Sequence, residues 1–141
     1  MSQHLQDLHD VGQVIIKYAT SVDQRDMDRY GSCFASDVVV TGFSAGATEG
    51  RDAWVQFVDQ ALQNFKGTHH QITNQEITVD GDTAHMRSYV QATHQLARDD
   101  EHLLILYAIY DDRLVRTADG WEFTHHHLER LIDSRKVRIT P

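Results

Sequence analysis

The second half of this chain is written with a period of two, and that restricts the fold more than any other feature. Four long stretches, "THHQITNQEITV", "TAHMRSYVQATHQLA", "HLLILYAIYDDRLVRT" and "WEFTHHHLERLI", show alternating patterns. Only "DGD", "RDDE" and "ADG" separate them, and such short polar turns suit β-hairpins. The only proline, Pro141, is the last residue, so no ring removes a backbone donor from these strands. A run of antiparallel strands is therefore predicted.

The first half has a different period. Leu5, Leu8, Val11, Ile15, Tyr18 and Val22 recur every three or four residues, as on one face of an amphipathic helix, and Asp23 follows directly. "DMDRYGSCFASD" continues that spacing through Met27, Tyr30 and Phe34 as a short second helix. "VVVTGF" reads as a strand because β-branched residues pack well on a pleated surface, and "SAGATEG" reads as a loop. "RDAWVQFVDQALQNF" is a third helix with Trp54, Phe57 or Val58, Ala61 and Phe65 on its inner stripe and Gly67 as its stop signal. Helices followed by hairpin-linked strands imply one α+β domain over residues 1–141, with an antiparallel sheet packed on the N-terminal helices.

Composition narrows the partners. With a formal charge of −8 and no basic track with interleaved aromatics, nucleic acid is not an expected partner. No apolar run approaches the roughly 18–20 residues of a membrane span. One cysteine, Cys33, leaves no intrachain disulfide, and the polar start "MSQHLQDLHD" lacks a secretory pattern, so a cytoplasmic location is expected. Cys33 reads as a core residue.

Alternation also assigns faces. Ala84, Met86, Val90 and Ala92 share a parity with His94, which predicts that His94 points toward the helices. Trp121 and Phe123 mark the inner face of the last strand, which carries His125 and His127 inward and His126 outward. The strand "THHQITNQEITV" stays ambiguous, because the parities of His69 and of His70 each include an isoleucine.

The order of helix, "SVDQRD", "GRDAWVQFV", "HQITN" and hairpin strands resembles the SnoaL-like branch of the nuclear transport factor 2-like superfamily over nearly the whole chain. That resemblance implies a cone-shaped barrel: a curved antiparallel sheet wrapped around helices, with a deep pocket. It also selects residues. Dehydratases and dehydrochlorinases of this superfamily carry an Asp at the end of the first helix and a His in the first strand after the third helix, positions that Asp23 and His70 match. Asn74 resembles the dehydrochlorinase pattern, His94 sits where scytalone dehydratase has a second pocket histidine, and Tyr18 precedes Asp23 as a tyrosine does in bile-acid dehydratase. Steroid isomerases place a carboxylate base at the end of the first strand, where this chain has Gly42.

The resemblance thus implies a cofactor-independent, dehydratase-type lyase acting on a small hydrophobic cyclic molecule. Asp23, His70, His94 and Tyr18 are the candidate catalytic residues, and Asn74, Trp54, Phe57, Tyr107 and His125 the candidate pocket lining. Physically, a carboxylate on one imidazole nitrogen fixes the tautomer and stabilises the imidazolium that forms at the other. Alternatives are an isomerase or cyclase on a steroid- or polyketide-like ligand, and a non-catalytic binding protein. A metal site at His125 and His127 lacks a third ligand by spacing, so none is expected. Leu128, Ile132 and the outward residues of "LLILYAIY" are expected to give the sheet an apolar outer face for a homodimer or homotrimer. Arg113 and Arg116, beside Asp111 and Asp112, read as paired surface charges.

Overall fold

The computed structural model describes residues 2–139; Pro141 lies outside them. The elements run α1 (Gln3–Gln24), α2 (Met27–Gly31), β1 (Phe34–Thr41), β2 (Thr48–Glu49), α3 (Arg51–Leu62), β3 (Phe65–Asp80), β4 (Thr83–Leu96), β5 (His102–Thr117) and β6 (Gly120–Arg138). They form one six-stranded sheet in the order β2-β1-β6-β5-β4-β3. β3 to β6 are the antiparallel meander that alternation predicts. β1 pairs parallel with β6, so the sheet is mixed, and β2 and β3 remain as edges, so the cone is not a closed barrel. Strand direction is not encoded in a strand's own pattern.

α1 starts where the Ser2 hydroxyl accepts the Leu5 amide, and it ends at Arg25, whose φ of 61° turns the chain left-handed. Of the predicted stripe, Val11, Ile15, Tyr18 and Val22 are buried, whereas Leu8 is half-buried and Leu5 exposed in the first turns of the helix. α2 is shorter than predicted, because Phe34 already belongs to β1. Likewise α3 stops at Leu62, and Gly67, predicted as its stop signal, lies inside β3. The segment read as a loop contains the two residues of β2.

The core fills the concave side. Tyr18, Tyr30, Phe34 and Phe123 are buried and pack with ring centroids 5.0–6.3 Å apart. Each such side chain contributes roughly 1.5–3 kcal/mol relative to exposure.

Two bulges correct the predicted faces. In β3, Thr73 faces Tyr89 and Glu76 faces Arg87, so Asn74 and Gln75 together oppose Ser88. The parity flips across them, and both Ile72 and Ile77 pack against the core. That is why each face of the sequence pattern held an isoleucine. In β6, His125 faces Arg113 while Phe123 faces Leu114, which leaves Thr124 as the extra residue. Beyond it His126 points inward and is fully buried, whereas His125 and His127 are exposed, the reverse of the prediction, and Leu128, expected on the outer face, joins the core.

Surface charges pair partly as predicted. Arg116 forks onto Asp7 at 2.8 and 2.9 Å and also reaches Asp82, while Asp111 takes Arg87 and His85. Asp112, by contrast, is buried inside the sheet. The Arg116 hydrogen bonds lower the Asp7 carboxyl from an ordinary 3.8 to about 2. A carboxyl depressed in the folded state stabilises the fold above its unfolded value, and that stabilisation disappears as pH falls through the folded one. Acid unfolding of wild type should therefore steepen between pH 3.8 and about 2. Asp7→Asn should remove that component, and an unchanged acid profile would contradict the assignment.

Candidate active site

Asp23 sits on the last turn of α1, and the left-handed turn at Arg25 ends the helix with its carboxylate facing β3. β3 is a sheet edge, so its outward amides need partners from elsewhere. Asp23 supplies one: its Oδ2 accepts the His70 backbone N–H at 2.8 Å. Its Oδ1 accepts the Thr68 hydroxyl at 2.9 Å and lies 2.7 Å from His70 Nδ1. Burial alone would raise the Asp23 carboxyl, but the hydrogen bonds from the His70 ring, the His70 amide and Thr68 hold it below its usual value. An ionised carboxylate only accepts, so Nδ1 carries the proton and Nε2 of neutral His70 keeps a lone pair. The two side chains are 20% and 10% exposed, which leaves His70 mostly withdrawn from water.

His94 is on β4, its ring 5.8 Å from that of His70 on neighbouring β3 and nearly perpendicular to it. Burial lowers its pKa, partly offset by its hydrogen bond to the Leu104 carbonyl. Its Nδ1–H donates to that carbonyl at 3.1 Å, so the Nε2 of neutral His94 accepts and does not donate.

Both histidines line a cavity of about 160 Å³ with Tyr18, Tyr110, Trp54 and Phe57. Trp54 is fixed by donating to the Tyr30 hydroxyl at 3.0 Å, and Phe57, 41% exposed, stacks on it where the cavity meets solvent. An engineered apolar cavity of about 150 Å³ holds benzene, so the inner part of this hollow has room for one six-membered ring. Larger hollows of about 550 and 590 Å³ lie elsewhere and contain neither Asp23 nor His70.

Three residues predicted to line the pocket do not. Asn74 is exposed in the β3 bulge, where its φ of 52° suits an asparagine. Tyr107 belongs to the outer face of the sheet, beside Tyr89 and Leu131. His125 is turned outward by the Thr124 bulge, and His69 is exposed on the face opposite His70. Cys33 is buried, and desolvation pushes its thiol up to about 12, so it is no nucleophile at neutral pH. Among the described residues no group of three or more His, Cys, Asp or Glu is arranged to hold a metal ion.

A second polar cluster, unforeseen by alternation, lies deeper. Asp112 Oδ1 is 2.5 Å from His126 Nδ1, and His126 Nε2 is 3.3 Å from the Tyr18 hydroxyl. The Tyr18 and Tyr110 hydroxyls are 3.4 Å apart. Burial raises the pKa of both phenols well above the ordinary value, so they stay protonated.

Residues 3–127 match the SnoaL-like domain. The chain belongs to the SnoaL-like family. An uncharacterised protein of Mycobacterium tuberculosis is 32% identical to it over 118 residues, which cover 83% of this chain and 80% of the relative. Among solved structures, a Novosphingobium aromaticivorans protein provisionally named a scytalone dehydratase superposes with a TM-score of 0.87. It is 23% identical, over 97% of this chain and 91% of that one. The type 3 hexachlorocyclohexane dehydrochlorinase of Novosphingobium barchaimii superposes at 0.84, with 17% identity over 98% and 97%. At these identities the solved structures establish the SnoaL-like fold, and the chemistry has to be argued from the residues.

Proposed function

We propose that this SnoaL-like protein is a lyase that eliminates water or another small leaving group from a compact cyclic substrate, with His70 as the base. The observation that carries this reading is the contact of Asp23 with His70 Nδ1 beside a largely apolar, ring-sized cavity. His70 Nε2 takes the proton from carbon, the C–H electrons form the double bond, and the leaving group departs with its bonding pair. For a hydroxyl leaving group the proton held by His70 returns to it as water forms. Asp23 stabilises the transient imidazolium. The Tyr18 hydroxyl, whose resting hydrogen bond to Tyr110 is a long 3.4 Å, turns its O–H to the oxygen that gains charge; neutral His94, with its one N–H held by the Leu104 carbonyl at 3.1 Å, is the weaker candidate for that role. The step uses side chains alone.

Dehydratase and dehydrochlorinase names among the structural neighbours support the reaction class. The isomerase reading is weaker, because a Cβ at Gly42 would lie 2.1 Å from the Leu128 carbonyl oxygen, which leaves no space there for a carboxylate base. Exposed Tyr89 on β4 and Leu131 and Ile132 on β6 support a homodimer or homotrimer through the sheet.

The test is a screen of single-ring hydroxy and halo ketones, and of halogenated cyclohexanes, for release of water or halide. Turnover of a single-ring compound that His70→Ala abolishes is the expected result. Binding without turnover across the set would instead favour a non-catalytic binding protein.

A further inference from the structure

The Asp112 and His126 side chains are fully buried, and neither belongs to the elimination step above. Asp112 Oδ1 is 2.5 Å from His126 Nδ1, and Asp112 Oδ2 has no hydrogen-bond partner among the described residues. His126 is walled by aromatic rings: Tyr110, Tyr18, Phe43 and Phe123 have centroids 4.7–5.5 Å from its own. The nearest other charges on β5 and β4 are Asp111 and His85, which pair with each other at 2.7 Å, and Arg87 also pairs with Asp111.

Two protonation states compete in this enclosure. If the pair carries one negative charge, His126 Nδ1–H donates to the carboxylate and Nε2 is an acceptor. The Tyr18 O–H then points at His126 and is lost to the pocket. If the pair holds one further proton, it is neutral overall, either as carboxylate with imidazolium or as carboxylic acid with imidazole. In both neutral forms whose shared proton lies between Oδ1 and Nδ1, Nε2 bears the other proton; an acid protonated at Oδ2 would leave Nε2 bare, but its O–H would be buried without an acceptor. A lone anion in a dry core with one oxygen unpartnered is the costlier state.

We propose that Asp112 and His126 are a positioning pair for Tyr18: they share one proton across Oδ1 and Nδ1, and His126 Nε2–H donates to the Tyr18 oxygen. Tyr18 thereby keeps its own O–H, which at rest donates to the Tyr110 hydroxyl over a long 3.4 Å and turns to a ligand oxygen when one enters the cavity. The pair converts a tyrosine that would be an acceptor into a donor, next to His94 and His70. This assignment rests on the cavity being the ligand site, and the first measurement below is independent of any turnover.

Long-range ¹H–¹⁵N correlation of ¹⁵N-histidine-labelled wild type reads the state of each ring nitrogen, with His126 assigned by its disappearance in His126→Gln. A protonated Nε2 at neutral pH is expected, and an acceptor-type Nε2 overturns the proposal whether or not the protein is a lyase. The second measurement titrates carbonyl-¹³C cyclohexanone into wild type and variants. A downfield carbonyl displacement should appear with wild type, vanish in Tyr18→Phe, persist in His126→Gln, whose amide N–H can replace Nε2–H, and vanish in His126→Leu. A purely structural histidine would leave the displacement intact in any folded variant, so its persistence in His126→Leu overturns the proposal. Should His126→Leu fail to fold, the nitrogen spectrum of wild type decides alone.

Discussion

Turnover of a substrate found by the single-ring screen should fall by about 10²- to 10⁴-fold in His70→Ala, the range for loss of a general base. KM should change much less, because the proposed contact forms as the proton moves and not when the ring binds. Asp23→Asn should cost a comparable factor for a different reason. An amide N–H can donate to His70 Nδ1, which moves the imidazole proton to Nε2 and blocks the lone pair that attacks. The same change weakens the hold on the His70 amide and the Thr68 hydroxyl, which Asp23 accepts at 2.8 and 2.9 Å. Unchanged rates in both variants, with the fold intact by circular dichroism, would remove the elimination mechanism. Loss in His70→Ala with full activity in Asp23→Asn would keep the base and discard the carboxylate's role.

Gly42→Ala should be among the most destabilising single changes available in this chain. Gly42 has a φ of 88°, a region that side chains enter at a cost, and its Cβ would stand 2.1 Å from the Leu128 carbonyl oxygen. That neighbour is backbone of β6, so relief requires moving a strand and not rotating a side chain. The backbone conformation alone accounts for about 1–3 kcal/mol, and the collision adds to it. A total stability of about 5–15 kcal/mol leaves little margin. The urea midpoint should drop far below that of wild type, and a shift worth less than about 0.5 kcal/mol would show that the strands separate easily there. The same geometry bears on chemistry, since a folded Gly42→Asp variant would require the same displacement of β6.

Much of the fold was legible because period and turn chemistry are local properties. The α1 stripe from Val11 to Val22, the four hairpin strands and the inward His94 all follow from spacing. The candidate site was legible only in part. Asp23 and His70 came from a family resemblance, since the pattern of β3 could not choose between His69 and His70. The Asn74–Gln75 bulge explains the ambiguity: one isoleucine on each side of a parity switch looks like two competing faces. The error at "HHH" has the same origin, as the single extra residue Thr124 exchanges His125 and His127 for His126. A bulge leaves no distinctive residue type in the string, because what defines it is a missing partner on the neighbouring strand.

The sequence by itself therefore determined an α+β chain of N-terminal helices and a proline-free antiparallel meander, since hydrophobic period and turn residues act over a few neighbouring positions. Only the tertiary structure decided that β1 runs parallel to β6, that Asp23 closes on the edge of β3, and that Asp112 and His126 meet beneath Tyr18. Those contacts join residues 14 to 108 positions apart. They depend on register, bulges and desolvation across the packed sheet, none of which any single segment carries.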